Sequence, residues 1–233
     1  VRDPYLCRSK EGDRFFLIAT DLSIYNRGGW FQNEQGYYDP DAINNDYEGT
    51  VAKARELLEA AGYKFDDNGM LSAETPISLE YLTNESSGHI AVAESMQQDF
   101  SVLGIEMTIQ VQDWNVFLEE RKNGNFDIAR EGWIADFNDA LTYLELMTTG
   151  NSYNYGVYEN AKFDELCKAA KATNAGAERD EMMYNAEKEL FTEGGFPVAP
   201  LYFYTQVACL DQSIDNVGFT SLGYYFFNYA TQN

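Results

Sequence analysis

The sequence predicts an α/β domain in which a mixed sheet is flanked by helices, and three observations carry that prediction. Between residues 51 and 130, segments with apolar residues at helical spacing take turns with segments of strict two-residue alternation. A glycine, often after Asn or Asp, closes these segments where the chain must reverse. Apolar residues make up 45% of the 233, enough to bury a sizeable core without metal or disulfide staples.

The first helix is predicted over residues 51 to 61, where Val51, Ala54, Leu57, Leu58 and Ala61 form one stripe and Gly62 follows as a left-handed cap. An Asp66-Asp67-Asn68-Gly69 turn comes next, without the spaced ligands of a calcium loop. Ile77, Leu79 and Tyr81 then alternate with Ser78 and Glu80, the period of a half-buried strand.

Ser87 is placed as the cap of a second helix carrying Ala93, Met96, Phe100 and Leu103, which Gly104 ends. Ile105, Met107, Ile109 and Val111 alternate with polar partners as a second strand. A short helix from about Asn115 to Lys122 leads through Asn123-Gly124-Asn125 into a third strand, Phe126 to Arg130.

Two more amphipathic helices follow, one turning Phe163, Leu166 and Ala170 inward, the other Met183, Ala186 and Leu190 before Gly194-Gly195. Cys167, beside Leu166, reads as plain core. From Val198 to Tyr229 the chain is aromatic and β-like, densest at Leu201 to Tyr204 and Tyr224 to Phe227.

Composition excludes several functions. A net charge of −22 repels polyanions, so nucleic acid is not an expected partner. The single histidine, His89, rules out His-cluster metal sites and reads as an ordinary helix-start residue. Cys7, Cys167 and Cys209 lie far apart with no CxxC spacing, so no zinc site or dense disulfide framework is indicated and no cofactor is expected. There is no phosphate-binding glycine motif and no GxSxG elbow. No run is long enough to cross a bilayer, and the chain opens on Val1 without a signal peptide, as if processed or cut.

The stretch from Phe126 to Asp139, FDIAREGWIADFND, resembles the central signature of the oligopeptide-binding proteins of ABC importers, solute-binding protein family 5. In the same order, Tyr38-Asp39-Pro40, Lys53 to Gly62, Gln112-Asp113-Trp114 to Gly124, Asn151 to Cys167 and Pro197 to Tyr202 resemble that family. The resemblance covers residues 36 to 233 and implies the carboxy-terminal lobe of a periplasmic-binding-protein-like fold of type II.

Residues 1 to 35 stand apart. Within them Arg2-Asp3-Pro4-Tyr5, Phe15 to Asp21 and Gly28-Gly29-Trp30 resemble a piece of a five-bladed propeller glycosidase of the arabinofuranosidase and xylosidase type. Asp3 and Asp21 alone do not make the two-carboxylate site that glycoside hydrolysis needs. The segment reads either as part of a fusion or as an assembly error.

The resemblance to the oligopeptide-binding proteins implies a non-enzymatic binder of short peptides. It would hand them to the membrane permease of an ABC importer, in the periplasm or lipid-anchored at the cell surface. It implies that Asp136 takes the ligand's α-ammonium and that Arg130 forks onto a carboxylate at the far end. Trp133 and Trp114 would wall side-chain pockets, and Asn138 joins them as a contact. Read without the family, Asp136 fits a turn or helix cap, Arg130 a salt bridge, and each tryptophan a core position. The Asn- and Tyr-rich loop from Asn151 to Tyr158 can also contact ligand. Ile134 stands where some members carry a disulfide cysteine. Alternative readings are a glycoside hydrolase fusion, or an oligosaccharide- or metal-chelate-binding member of the same family.

Overall fold

The computed structural model describes residues 2–8, 15–20, 47–193, 197–199, 201, 209–220 and 223–232. Several sequence readings fall outside them: the Tyr38-Asp39-Pro40 and Gly28-Gly29-Trp30 motifs, Asp21, the Gly194-Gly195 stop and Tyr202 to Tyr204. By its internal contacts the chain divides into two units, residues 39–132, and residues 1–38 with 133–233.

In the second of these units β1 (Arg2–Arg8) and β2 (Phe15–Thr20) form an antiparallel pair.

The unit of residues 39–132 begins with α1 (Tyr47–Ala60), and Gly62, at φ +96°, turns the chain as expected of a left-handed cap. None of the α1 side chains is buried, and Leu57, expected on the inward stripe, is 60% exposed. Three strands form a parallel sheet in the order β4-β3-β5: β3 (Ser78–Asn84), β4 (Glu106–Gln112) and β5 (Ile128–Ala129). They are joined by α2 (Ser87–Ser101) and α3 (Trp114–Lys122). Two crossover units leading to opposite sides of β3 place their helices on opposite faces when both are right-handed.

Central position explains why β3 departs from simple alternation. Its first half is partly open, but Tyr81 to Asn84 are all buried, because a middle strand under two helix layers has no solvent face. On one face Tyr81, Ala93 and Met107 form a core with Leu79, Met96, Phe100, Ile109 and Ile128. The strand expected to turn Val111 inward leaves it 42% exposed, at the far end of β4.

Capping also differs from expectation. Ser86, not Ser87, is the N-cap of α2, and its side chain makes no capping bond. By contrast Asp113 caps α3 by accepting from the amides of Asn115 (3.0 Å) and Val116 (3.3 Å), so the helix starts one residue earlier, at Trp114.

After residue 132, α4 (Leu141–Leu144) runs into a single 3₁₀ turn, Glu145–Met147. Then α5 (Ala161–Ala172) packs on α6 (Ala177–Lys188), which continues as a π turn, Glu189–Glu193. Phe163, Cys167, Ala170, Met183, Ala186 and Leu190 meet in one core with Leu141, Leu144 and Phe191, as their spacing requires. Asn160 caps α5 with its side chain and donates to Glu189 at 3.0 Å. The aromatic tail contributes two short antiparallel ladders, β6 (Ile214–Asp215) with β9 (Thr231–Gln232) and β7 (Gly218–Phe219) with β8 (Tyr225–Phe226).

Candidate functional site

Parallel sheets gather function at the carboxyl ends of their strands, where the backbone opens toward the following helices. In the 39–132 unit that edge carries Asn84 at the end of β3, Gln112 at the end of β4 and Arg130 just past β5. Arg130 still belongs to the ladder through its N–H, which donates to the carbonyl of Leu82 at 2.9 Å. Trp114, the first residue of α3, opens at the same edge and is 49% exposed.

Trp114 sits on an ordered stack. Its ring lies 5.7 Å from that of Phe117, which is fully buried, and the Arg121 guanidinium lies 4.8 Å from the Phe117 ring centre. Spacings of three and four residues put these side chains on one face of α3. Arg121 is 6% exposed and donates from one Nη to the Glu131 carboxylate (2.7 Å) and to the Arg130 carbonyl (3.3 Å). Burial raises the pKa of Glu131, an effect that the charge of Arg121 opposes.

His89, in the first turn of α2, shares a hydrogen bond of 3.0 Å between its Nδ1 and Asn84 Oδ1. Partial burial, and after it the positive charge of Arg130, hold its pKa below the usual 6.5. His89 therefore stands in the electrostatic field of Arg130. Its place just past the end of β3, and not only at a helix start, puts it at the carboxyl edge of the sheet.

The remaining candidates lie in the other unit. The amide of Asp136 donates to Thr142 Oγ1 at 3.0 Å, which ties the loop to α4 and leaves the Asp136 side chain exposed. Among the described residues no cation pairs with its carboxylate. Three residues on, Asp139 has the opposite fate: Arg179 grips it at 2.8 and 2.9 Å, and it accepts from the Leu141 amide at 2.9 Å. Partial burial works against the Asp139 charge, but those hydrogen bonds and the Arg179 charge outweigh it and leave its pKa lowered.

Trp133 meets Tyr153 edge-on at 4.7 Å, and Tyr153 meets Tyr155 at 6.3 Å, so the aromatic wall is wider than the tryptophan alone. The indole N–H of Trp133 is buried without a hydrogen-bond partner among the described residues. Asn138 is exposed.

The loop from Asn151 to Tyr158 is held by its asparagines, both to itself and to residues 145 to 148. Asn151 donates to the carbonyl of Glu145 (2.8 Å) and accepts from the Tyr153 amide (2.9 Å). Asn154 donates to the carbonyls of Thr148 (3.2 Å) and Tyr158 (2.8 Å) and accepts from the Tyr158 amide (2.9 Å). These amides hold the loop in shape and leave Tyr153 and Val157 exposed, while Tyr158 packs on the core beside Phe163. Among the described residues no cluster of His, Cys, Asp or Glu could hold a metal ion, and no helix is long and apolar enough to cross a membrane.

Residues 25–155 match the family model described as bacterial extracellular solute-binding proteins, family 5. Residues 1–38 match one described as a probable glycosyl hydrolase domain. The chain is 33% identical over 78% of its length to the dipeptide-binding protein DppE of Bacillus subtilis, covering 32% of that protein. It is 34% identical over 66% of its length to the periplasmic murein peptide-binding protein MppA of Escherichia coli, covering 27% of it. The solved structure of MppA superposes with a TM-score of 0.61 over 67% of this chain and 29% of that one, at 32% identity. An OppA structure from Burkholderia pseudomallei does so with a TM-score of 0.63 over 73% of this chain and 32% of that one, at 27% identity. The chain thus spans about a third of the length of these relatives. Its fold is that of a lobe of a type II periplasmic binding protein, and the chain belongs to the bacterial extracellular solute-binding proteins of family 5.

Proposed function

We propose that residues 36 to 233 are the carboxy-terminal lobe of an extracytoplasmic protein that captures short peptides for the permease of an ABC importer, with no catalytic step. The observation that carries this reading is the contrast between Asp136 and Asp139. A loop that pairs one carboxylate with Arg179 and leaves the other exposed, with no cation among the described residues, retains a site for an incoming ammonium. Asp136 is assigned the α-ammonium of the peptide, and Arg130 its carboxylate. Trp114, Trp133 and Asn138 are assigned to side-chain and backbone contacts.

Support comes from three directions. The family is one of solute binders, and the relatives named above are described as binders of dipeptides and murein peptides. Arg130, Trp114 and His89 belong to the carboxyl edge of a parallel sheet, where ligands of such folds collect. A receptor that takes peptides of many sequences must hold what all peptides share, their two termini and backbone, and flat aromatic rings tolerate varied side chains. The boundary near residue 36 is part of the proposal: the glycosyl hydrolase match stops at residue 38, and the family 5 match begins at residue 25, so the two overlap across it.

The test is calorimetric titration of the full-length protein with trialanine and with its N-acetylated form. Asp136→Asn is expected to weaken trialanine by at least about 30-fold, the scale of a lost charge-assisted contact, and to leave the acetylated peptide unchanged. Equal binding of both peptides by the native protein, or tight binding of an oligosaccharide that survives Asp136→Asn, would overturn the peptide reading.

A further inference from the structure

We infer that Arg121 and Glu131 form a clamp that sets how Arg130 is presented at the carboxyl edge of the sheet, so that both act as positioning residues for a carboxylate they do not touch. The inference rests on the assignment of Arg130 to the peptide carboxylate made above.

The register of β5 decides where Arg130 points. Tyr81 pairs with Ile128 and Leu82 with Ala129 in parallel register. Ile128 packs against the core that Tyr81 and Met107 share with Ala93 of α2, so strand alternation puts Arg130, two residues on, on the α2 face. The effect of its charge on His89, also in α2, agrees with that placement. Glu131 is one residue further and belongs to the opposite face, where Arg121 of α3 holds its carboxylate at 2.7 Å. Neighbouring residues are thus directed to different helix layers.

The β5 strand is two residues long, and the Arg130 N–H makes the last bond of its ladder to β3. No ladder bond to β3 follows that one, and the Arg130 carbonyl instead accepts from Arg121 at 3.3 Å. Glu131 adds a second tie, accepting from the Gly132 amide at 2.9 Å through the carboxylate oxygen that Arg121 does not use. Both main-chain polar groups of Arg130 are therefore engaged, one by the sheet and one by α3.

Arg121 is itself fixed. It is 6% exposed over the ring of Phe117, and a buried guanidinium needs an anion beside it, so removing Glu131 would release the grip on the Arg130 carbonyl as well. A ligand-binding side chain gains affinity when its backbone is held before the ligand arrives, because less freedom is lost on binding.

The experiment uses the full-length protein with trialanine and trialanine carboxamide, the second lacking the terminal carboxylate. Native protein is expected to prefer the acid. Glu131→Gln, and the double variant Arg121→Met with Glu131→Leu that replaces the pair by apolar groups without stranding a charge, are expected to lose about tenfold on the acid and under about twofold on the amide. That is the scale of removing an outer partner of a ligand set. Thermal melts of both variants confirm that the fold persists. Variants that keep the full preference for the acid, or that lose equally on both peptides, overturn the clamp and leave the Arg130 assignment standing. A native protein indifferent to the terminal carboxylate overturns the assignment itself.

Discussion

Arg179 holds the Asp139 carboxylate through two guanidinium nitrogens, at 2.8 and 2.9 Å, linking the start of α6 to the chain two residues before α4. The link keeps the Asp136 loop in place, since Asp139 also accepts from Leu141 and the Asp136 amide is tied to Thr142.

Arg179→Met is therefore expected to cost about 2 kcal/mol in urea unfolding at pH 7, because it leaves a partly buried carboxylate without its fork. The folded pKa of Asp139 is lowered below the ordinary 3.8, so its contribution is present above that value and lost as pH falls through the folded pKa. The gap between native protein and variant should narrow toward pH 3. A constant gap would assign the loss to packing alone.

Glu187 is a buried acid in the core helix α6, 4% exposed, and burial pushes its pKa up from 4.5 to about 8. A raised acid holds its proton in the folded chain after the unfolded chain has lost it, so stability falls as pH rises from about 4.5 to about 8 and is level above. Glu187→Gln is expected to remove that slope and to gain roughly 3 kcal/mol above pH 8. His89, with its lowered pKa, slopes the other way: its contribution is present above 6.5 and is lost as pH falls from there through the folded pKa. The measurement is thus the difference between native and Glu187→Gln unfolding free energies across pH 4 to 9, which should be flat if Glu187 is not the cause.

Cys167 and Cys209 are free thiols with opposite exposure. Burial, with the nearby charges of Asp164 and Glu145, pushes the Cys167 thiol up to about 12, and the thiolate is the reactive form. In a Cys7→Ser background, maleimide at pH 8 should label one thiol quickly and the second only in denaturant, with peptide mapping placing the first at Cys209. Fast labelling of both would contradict the packing of Cys167 between α5 and α6.

Gly104 and Gly124 both have positive φ, +78° and +73°, but only the first is crowded. A Cβ on Gly104 would stand 2.7 Å from the Leu71 amide nitrogen, which donates to the Leu103 carbonyl at 2.8 Å, whereas one on Gly124 meets nothing within 4 Å. Gly124→Ala is expected to cost about 1 kcal/mol from backbone strain, and Gly104→Ala at least twice that, read from the melting temperatures of the two variants. Equal costs would place the whole penalty in the backbone.

Much of the fold was legible because periodicity reports burial. The inward residues of α5 and α6 and the strand alternation of Leu79, Met107 and Ile109 appear in the two cores as their spacing requires. Ser87 was misplaced as a cap because Ser86 and Ser87 are chemically alike, and only backbone angles distinguish an N-cap from the first helical residue. Leu57 and Val111 were assigned inward on spacing alone, which says that residues share a face and not that anything covers it.

The candidate site divides in the same way. Arg130, Trp114, Trp133, Asp136 and Asn138 are proposed from one signature and its flanks, while nothing in the spacing of the sequence singles out Arg121, Glu131 or His89. A charged residue on an otherwise apolar helix face carries no period of its own, and the only hint at Arg121 was its place four residues after Phe117.

By itself the sequence determined the family, the order of the main helices and strands from residue 47 to 190 and the inward residues of α5 and α6, because these depend on local spacing and on a signature in contiguous residues. Tertiary structure alone decided that Asp139 is paired with Arg179 while Asp136 meets no cation among the described residues. It also decided that Asn151 and Asn154 close their own loop, and that Arg121 holds the backbone of Arg130. Each of these outcomes depends on which hydrogen-bonding groups come within about 3 Å of one another, a distance that pattern along the chain does not contain.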